Sequence, residues 1–353
     1  MKKLPKLPKL GKKKAGVEET PPSRITNDTL AEHRQRVLAS GRKFKYPLQY
    51  ARHRLVFNAI IIASAAILLL AVGIWEQLYI SQNTSDFMYR ITRAIPVPVA
   101  YVDGQPVLYS DYLMKFRSSL HYLVQKEQMD VNTTDGKRQV KYLKEQAMEE
   151  AEETAYATKL AHQMHTSVST KELNDYLTVQ RQSGDGEVSQ ATYDAVVLDY
   201  YGWTPVEYRQ ATSEQLLVQK ISYAIDKNAS KVSTDTAALL ATNSDLKAVS
   251  DQINATDKAK TQYGQPGWVP TTNQDGGLAI AASKLHKGQI SGAIKSTTGD
   301  GYYYLKLDDV NSTQVNYDYI HIPLNQFSTQ LNKLRHDKKI HELIAVSSSS
   351  DVK

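Results

Sequence analysis

An α+β protein with one membrane-crossing helix is the fold class this sequence predicts, and three observations carry it. Residues 55–75, LVFNAIIIASAAILLLAVGIW, contain no charge. From residue 109 to about 230, apolar side chains recur every three or four positions, the spacing of amphipathic helices. Beyond residue 290, the runs ISGAIKST, GYYYLKLDDV and VNYDYIHIPL read as strands of a small antiparallel sheet, with helices before and after.

The apolar run comes first because it divides the chain. At 1.5 Å per residue it covers about 30 Å, the thickness of a bilayer's hydrocarbon core. Arg52, His53 and Arg54 abut its start, and Trp75 and Tyr79 lie at its far end, where amphipathic rings favour the headgroups. A cleavable signal peptide has a shorter apolar core near the N-terminus; a core helix rarely runs this long without charge. Residues 1–54 hold 15 Lys and Arg against 4 Asp and Glu, while the rest holds 28 against 33. Positive charge stays inside, so residues 1–54 are expected as a basic cytoplasmic tail, 55–76 as a transmembrane helix in the plasma membrane, and the remainder as extracytoplasmic. The mildly acidic body argues against a nucleic-acid-binding globule. There is no cysteine, which removes disulfides, thiolate metal sites and a thiol nucleophile.

Residues 1–24, rich in Lys and Pro, are expected to lack order. Residues 29–43 have a helical pattern, with Leu30, Val37 and Leu38 on one side. Two readings stay open for this tail: attachment to anionic lipid, or a topology signal alone. A linker is expected over 77–96. Then VAYVDGQPVLYSDY reads as a strand, a tight Asp103-Gly104 turn, and a helix capped by Ser110. Helices follow at 111–129 and 137–165. Ser169 with Glu172 forms a capping box, Ser189 opens another helix, and Gly202 ends it. Thr204, Pro205 and Glu207 open a helix reaching about 226. Residues 234–255 are weakly helical, 264–270 a turn and strand, 277–285 a small helix, and 325–346 a closing helix.

The segment 97–230 resembles the N-terminal chaperone domain of SurA-type foldases. The resemblance rests on Val99-Ala100-Tyr101-Val102-Asp103-Gly104, on Tyr201-Gly202-Trp203-Thr204, and on Tyr208-Arg209. A second segment, about 264–310 within an expected domain at 231–324, resembles the latter half of a parvulin-type peptidyl-prolyl isomerase. It has Gly267-Trp268, Ala282 to Leu285, Gly288-Gln289-Ile290-Ser291 and GYYYLKL at 301–307. Residues 325–353 then form a C-terminal helix and tail. The parvulin histidine on the closing strand falls on Tyr303, and the pocket Met and Phe fall on Gln274 and Leu278. The family's opening strand with its histidine is missing near 228–235. A matching run, Tyr319-Ile320-His321-Ile322, follows the closing strand instead. In the parvulin fold the first and last strands are neighbours, so a hairpin between 301–309 and 315–323 would supply the missing strand by circular permutation.

These resemblances imply a membrane-anchored folding factor that binds unfolded or newly translocated polypeptides. They assign His321 and Tyr303 to catalysis if the isomerase is active, and Gln274, Leu278 and Trp268 to substrate. Isomerisation crosses a barrier of about 18–20 kcal/mol by gripping the Pro ring in an apolar pocket and favouring the twisted amide, with no nucleophile. With one histidine left and Gln274 in the pocket, the expectation is a degenerate isomerase. An active isomerase and a non-catalytic envelope scaffold are the alternatives. No cofactor or metal is expected: His162 and His165 lack a carboxylate partner motif. Glu149, Glu150, Glu152 and Glu153 are expected on a solvated helix face, as are His336 and His341. Tyr193, Tyr200, Tyr201, Trp203 and Tyr208 cluster in the chaperone-like half; Tyr201 or Trp203 is expected to pack rather than bind.

Overall fold

The computed structural model describes residues 26–45, 47–183, 186–256 and 260–346. The expected disorder of 1–24 lies outside these residues. The chain forms two compact units, Met1–Ile74 and Trp75–Lys353.

The first unit holds α1 (Asn27–Lys45) and most of α2 (Pro47–Trp75). Leu30, Val37 and Leu38 of α1, the apolar stripe read in the sequence, are exposed. The apolar side chains from Leu55 to Val72 of α2 also face outward, and Leu55–Ile80 is long and apolar enough to cross a membrane. Each peptide group of such a helix is satisfied internally, which is what hydrocarbon demands.

The second unit begins with a π-helical turn, Glu76–Ile80. Residues 77–96 are not the linker the sequence led one to expect. Leu78 is fully buried and its carbonyl accepts the Tyr109 hydroxyl at 2.7 Å. The helix α3 (Asp86–Ala94), capped by Ser85, buries Met88, Tyr89 and Thr92. Apolar residues spaced along a polar segment thus hold it to the body.

Next comes the hairpin of β1 (Pro98–Val102) and β2 (Gln105–Leu108). Asp103 and Gly104 both have positive φ, 47° and 85°, the geometry of a two-residue hairpin turn and the reason for the Asp-Gly pair. The helix α4 (Tyr109–Gln125) follows directly. Ser110 is not its cap: Leu108 holds that place, and Ser110 is buried in the first turn. Then come α5 (Thr134–Gln163), α6 (Thr170–Gln180), the short strands β3 (Gln182–Ser183) and β4 (Gly186–Glu187), α7 (Gln190–Tyr201) and α8 (Pro205–Ile225). The capping boxes Ser169–Glu172 and Thr204–Glu207 form as expected. The long α5 is the centre of this part, with α4 and α8 packed against it.

The helix α9 (Lys227–Leu240) opens the sheet-bearing part. It continues with α10 (Leu246–Thr256), β5 (Gln262–Pro270), α11 (Leu278–Ala282), β6 (Ile294–Lys295), β7 (Gly301–Val310) and β8 (Gln314–Pro323). The strands form an antiparallel sheet in the order β5-β8-β7-β6. The hairpin pairs Tyr303 with His321 and Leu305 with Tyr319. Tyr302, Tyr304, Ile320 and Ile322 face α9 and α10, whereas Tyr303, Leu305, Leu307, Val315 and Tyr317 face α11. Helices on both sides leave β7 buried on both faces. ISGAIKST is mostly not strand: the Ser291 hydroxyl, in place of a strand carbonyl, accepts the Leu305 N–H at 2.9 Å, and regular pairing is confined to Ile294–Lys295.

The closing segment corrects another expectation. The helix α12 (Gln326–His336) stops early, and β9 (Ile340–Glu342) adds to β1, pairing Val102 with Ile340 and Ala100 with Glu342. His341 is therefore a strand residue opposite Tyr101. The helix α12 packs on α8, and the ring of its Phe327 lies 5.4 Å from that of Tyr156 on α5. The helical body is thus completed by residues from beyond the sheet.

Candidate functional site: an aromatic groove and a stacked Tyr-His pair

A groove of about 860 Å³ runs along α4, α5, α6 and α8 and ends against Thr298 and Gly299, between β6 and β7. Its aromatic wall is made by the junction of α7 and α8. Gly202 ends α7 at φ 65° and lies against the His121 ring, while Thr204 and Glu207 start α8 at once. This tight link stacks Tyr201 on Trp203 (5.2 Å between centroids, 19°) and on Tyr208 (6.2 Å, 23°). Tyr208 shares a hydrogen bond of 2.7 Å with Tyr193, and the Trp203 indole donates to the Met114 carbonyl at 3.2 Å. Tyr122 of α4 and Tyr176 of α6 extend the wall.

Packing and lining are not alternatives here. Trp203 is anchored by its N–H and half-buried, yet it lines the groove; Tyr201 remains 44% exposed. Tyr200, from the same sequence cluster, turns away to meet Lys126, 4.7 Å from its ring centroid. Tyr122 and Tyr176 were missed in the sequence.

The groove also has an acidic lining. The run at 149–153 is not one solvated face. Glu152 is buried and bound to Arg335 of α12 at 3.0 Å, whereas Glu150 and Glu153 line the groove. Glu150 is open to solvent by area but sits in a concave wall of protein, and this burial raises its carboxyl pKa. Burial raises Glu153 too, and its neighbours Glu150 and Glu149 add repulsion. Lys115 lies in the same groove, bound to Glu214 at 3.1 Å. Behind it, burial and then the Glu214 charge push Asp111 up to about 6.

The second arrangement lies on the sheet. The rings of Tyr303 and His321, directly paired across β7 and β8, stack at 4.4 Å and 12°. Tyr303 donates to Asp300 at 2.7 Å, and the Nε2 of His321 lies 3.3 Å from the Asp300 carbonyl. Burial raises the Asp300 pKa, but hydrogen bonds from Tyr303, Thr298 and Ser296, helped by His321, outweigh it and hold the carboxyl below its usual range. Burial and the Asp300 carboxylate push the Tyr303 hydroxyl up. Asp300, in the turn Gly299-Asp300-Gly301, was missed in the sequence.

The other expected site residues do not converge here. Leu278 is buried in the cluster that holds Tyr303. Gln274 is exposed, and the nearby Asp275 instead accepts the Tyr317 hydroxyl at 2.9 Å. Trp268, 45% exposed, pairs with Asn316, whose alternation puts it on the sheet face away from Tyr303.

Comparison with known families fits the helical part. Residues 48–222 match the family model of the SurA-like N-terminal domain, from the apolar helix to the last turn of α8. That match supports a chaperone-type folding factor. No curated protein matches the chain.

Proposed function

We propose that the chain is a membrane-anchored, extracytoplasmic folding factor that holds unfolded or newly translocated polypeptides. The observation that carries this reading is the aromatic groove: a cleft of about 860 Å³ with stacked Tyr and Trp rings suits side chains of an extended segment. The SurA-like match agrees with it. The apolar helix supplies the anchor through the bilayer, and the basic charge of residues 1–54 favours a cytoplasmic N-terminus, with anionic lipid as a contact for that tail.

For residues 231–324 we read a permuted parvulin-like domain that has lost isomerase activity. Its support is the sheet order, in which β8, with His321, neighbours the closing strand β7. Loss of activity is supported by the pocket positions, where Gln274 is exposed and Leu278 is held in the core, a poor seat for a Pro ring. A second reading, an active isomerase, is favoured by the Tyr303–His321 stack and its Asp300 partner.

The test uses the full chain in detergent micelles. It is expected to suppress aggregation of unrelated, chemically unfolded proteins near stoichiometric ratios, and Tyr201→Ala with Tyr208→Ala should weaken this several-fold. Absence of suppression for every client would refute the reading and leave a one-partner scaffold.

A further inference from the structure

The groove has two kinds of lining. One wall is aromatic, with Tyr201, Trp203 and Tyr208 stacked together. The same groove is lined by Glu150 and Glu153, three apart and hence on one face of α5. Neither carboxylate forms an ion pair within 4.0 Å among the described residues. Lys115, the cation among the lining residues, is already bound to Glu214. The groove therefore holds negative charge that Lys115 and Arg335 offset only in part, together with π-faces, and both attract cations. Mutual repulsion at Glu153, which helps raise its pKa, would be relieved by a cation placed between the two.

We propose that the groove selects unfolded segments in which an aromatic side chain stands beside a Lys or Arg, with Glu150 and Glu153 setting that preference. The proposal deepens the chaperone reading and rests on it. The aromatic residue of the client meets the ring wall, and its cation reaches the carboxylates. An acidic segment of the same aromatic content meets like charge and is rejected.

The test measures fluorescence anisotropy of three labelled peptides with the full chain in nanodiscs of zwitterionic lipid. The peptides share their aromatic residues and carry Lys, Gln or Glu at the same flanking positions. The Lys peptide is expected to bind roughly five- to tenfold tighter than the Gln peptide at low salt, the Glu peptide weakest. The difference should shrink at high salt as charges are screened. In Glu150→Gln/Glu153→Gln, the Lys-to-Gln ratio should fall to near one. Equal affinities in the unaltered protein, or a ratio that survives the double substitution, would overturn the proposal while Gln-peptide binding left the chaperone reading standing. Failure of all three peptides to bind would overturn both. Should the double variant lose its far-UV dichroism, the salt titration of the unaltered protein decides, a salt-independent ratio overturning the proposal.

Discussion

The carboxylate of Asp226 reaches the backbone N–H of Asn325 at 2.8 Å, so the point where the chain leaves α8 is bonded to the point where it returns. The same oxygen accepts Gln326 N–H at 3.0 Å, and the other accepts Ala229 N–H at 2.8 Å. One buried side chain thus caps α9 and α12 together, at both ends of the sheet-bearing segment. Asp226→Ala should cost about 2–4 kcal/mol, the sum of two lost caps. Asp226→Asn should retain part of it. Urea denaturation of the full chain in detergent measures the cost, and limited proteolysis near 226 and 325 should accelerate in the Ala variant.

Glu152 gives a pH dependence with a definite sign. Burial pushes its carboxyl up to about 7, Arg335 partly offsetting this while Glu342 and Glu149 add to it. A raised acid pKa means the folded state holds the proton more tightly. Its contribution is therefore full below about pH 4.5 and is lost as pH rises to 7, on the order of 3 kcal/mol at 1.36 kcal/mol per unit. Glu152→Gln should flatten the stability profile between pH 5 and 7.5, as read from denaturant midpoints. An unchanged slope would place the titration elsewhere.

Gly299 holds the sheet loop against α8. Its φ is 82°, and an added Cβ would overlap the Gln219 side chain, whose amide donates to the Thr297 carbonyl at 3.0 Å. Gly299→Ala should cost about 1–2 kcal/mol for the left-handed backbone alone, plus the displacement of Gln219. Adding Gln219→Ala should recover the steric part. A double-mutant cycle on thermal midpoints measures that coupling, and strict additivity would argue against the contact.

Tyr303 and His321 decide between the two readings of the sheet. The expected result is no acceleration of cis/trans relaxation in short Pro peptides, followed by NMR exchange with the full chain. Acceleration that disappears in His321→Ala or Tyr303→Phe would make the active-isomerase reading correct. Independently, Tyr303→Phe should lower stability by about 1 kcal/mol through the lost bond to Asp300.

Local signals in the sequence foretold local structure well. Ser169, Ser189, Gly202 and Thr204 mark helix ends by chemistry confined to one turn, and all four act where expected. The Asp103-Gly104 turn likewise follows from backbone conformation alone. What failed were features decided by distant partners. Ile340–Glu342 continues a helical pattern until β1 offers it a ladder. Glu152 looks like its neighbours until α12 covers it with Arg335. The groove was half legible: its rings clustered near 200, but Tyr122, Tyr176 and the acidic wall join them only through packing of α4, α5 and α6.

The pairing of β9 with β1 has a consequence for the timing of assembly. A ribosome makes residues 98–102 long before 340–342, and contacts of such separation form late. During that interval the first hairpin presents an open edge and α5 lacks the cover of α12. The body is unfinished until β9 arrives, and a nascent chain stalled before residue 340 would leave that edge of β1 unpaired.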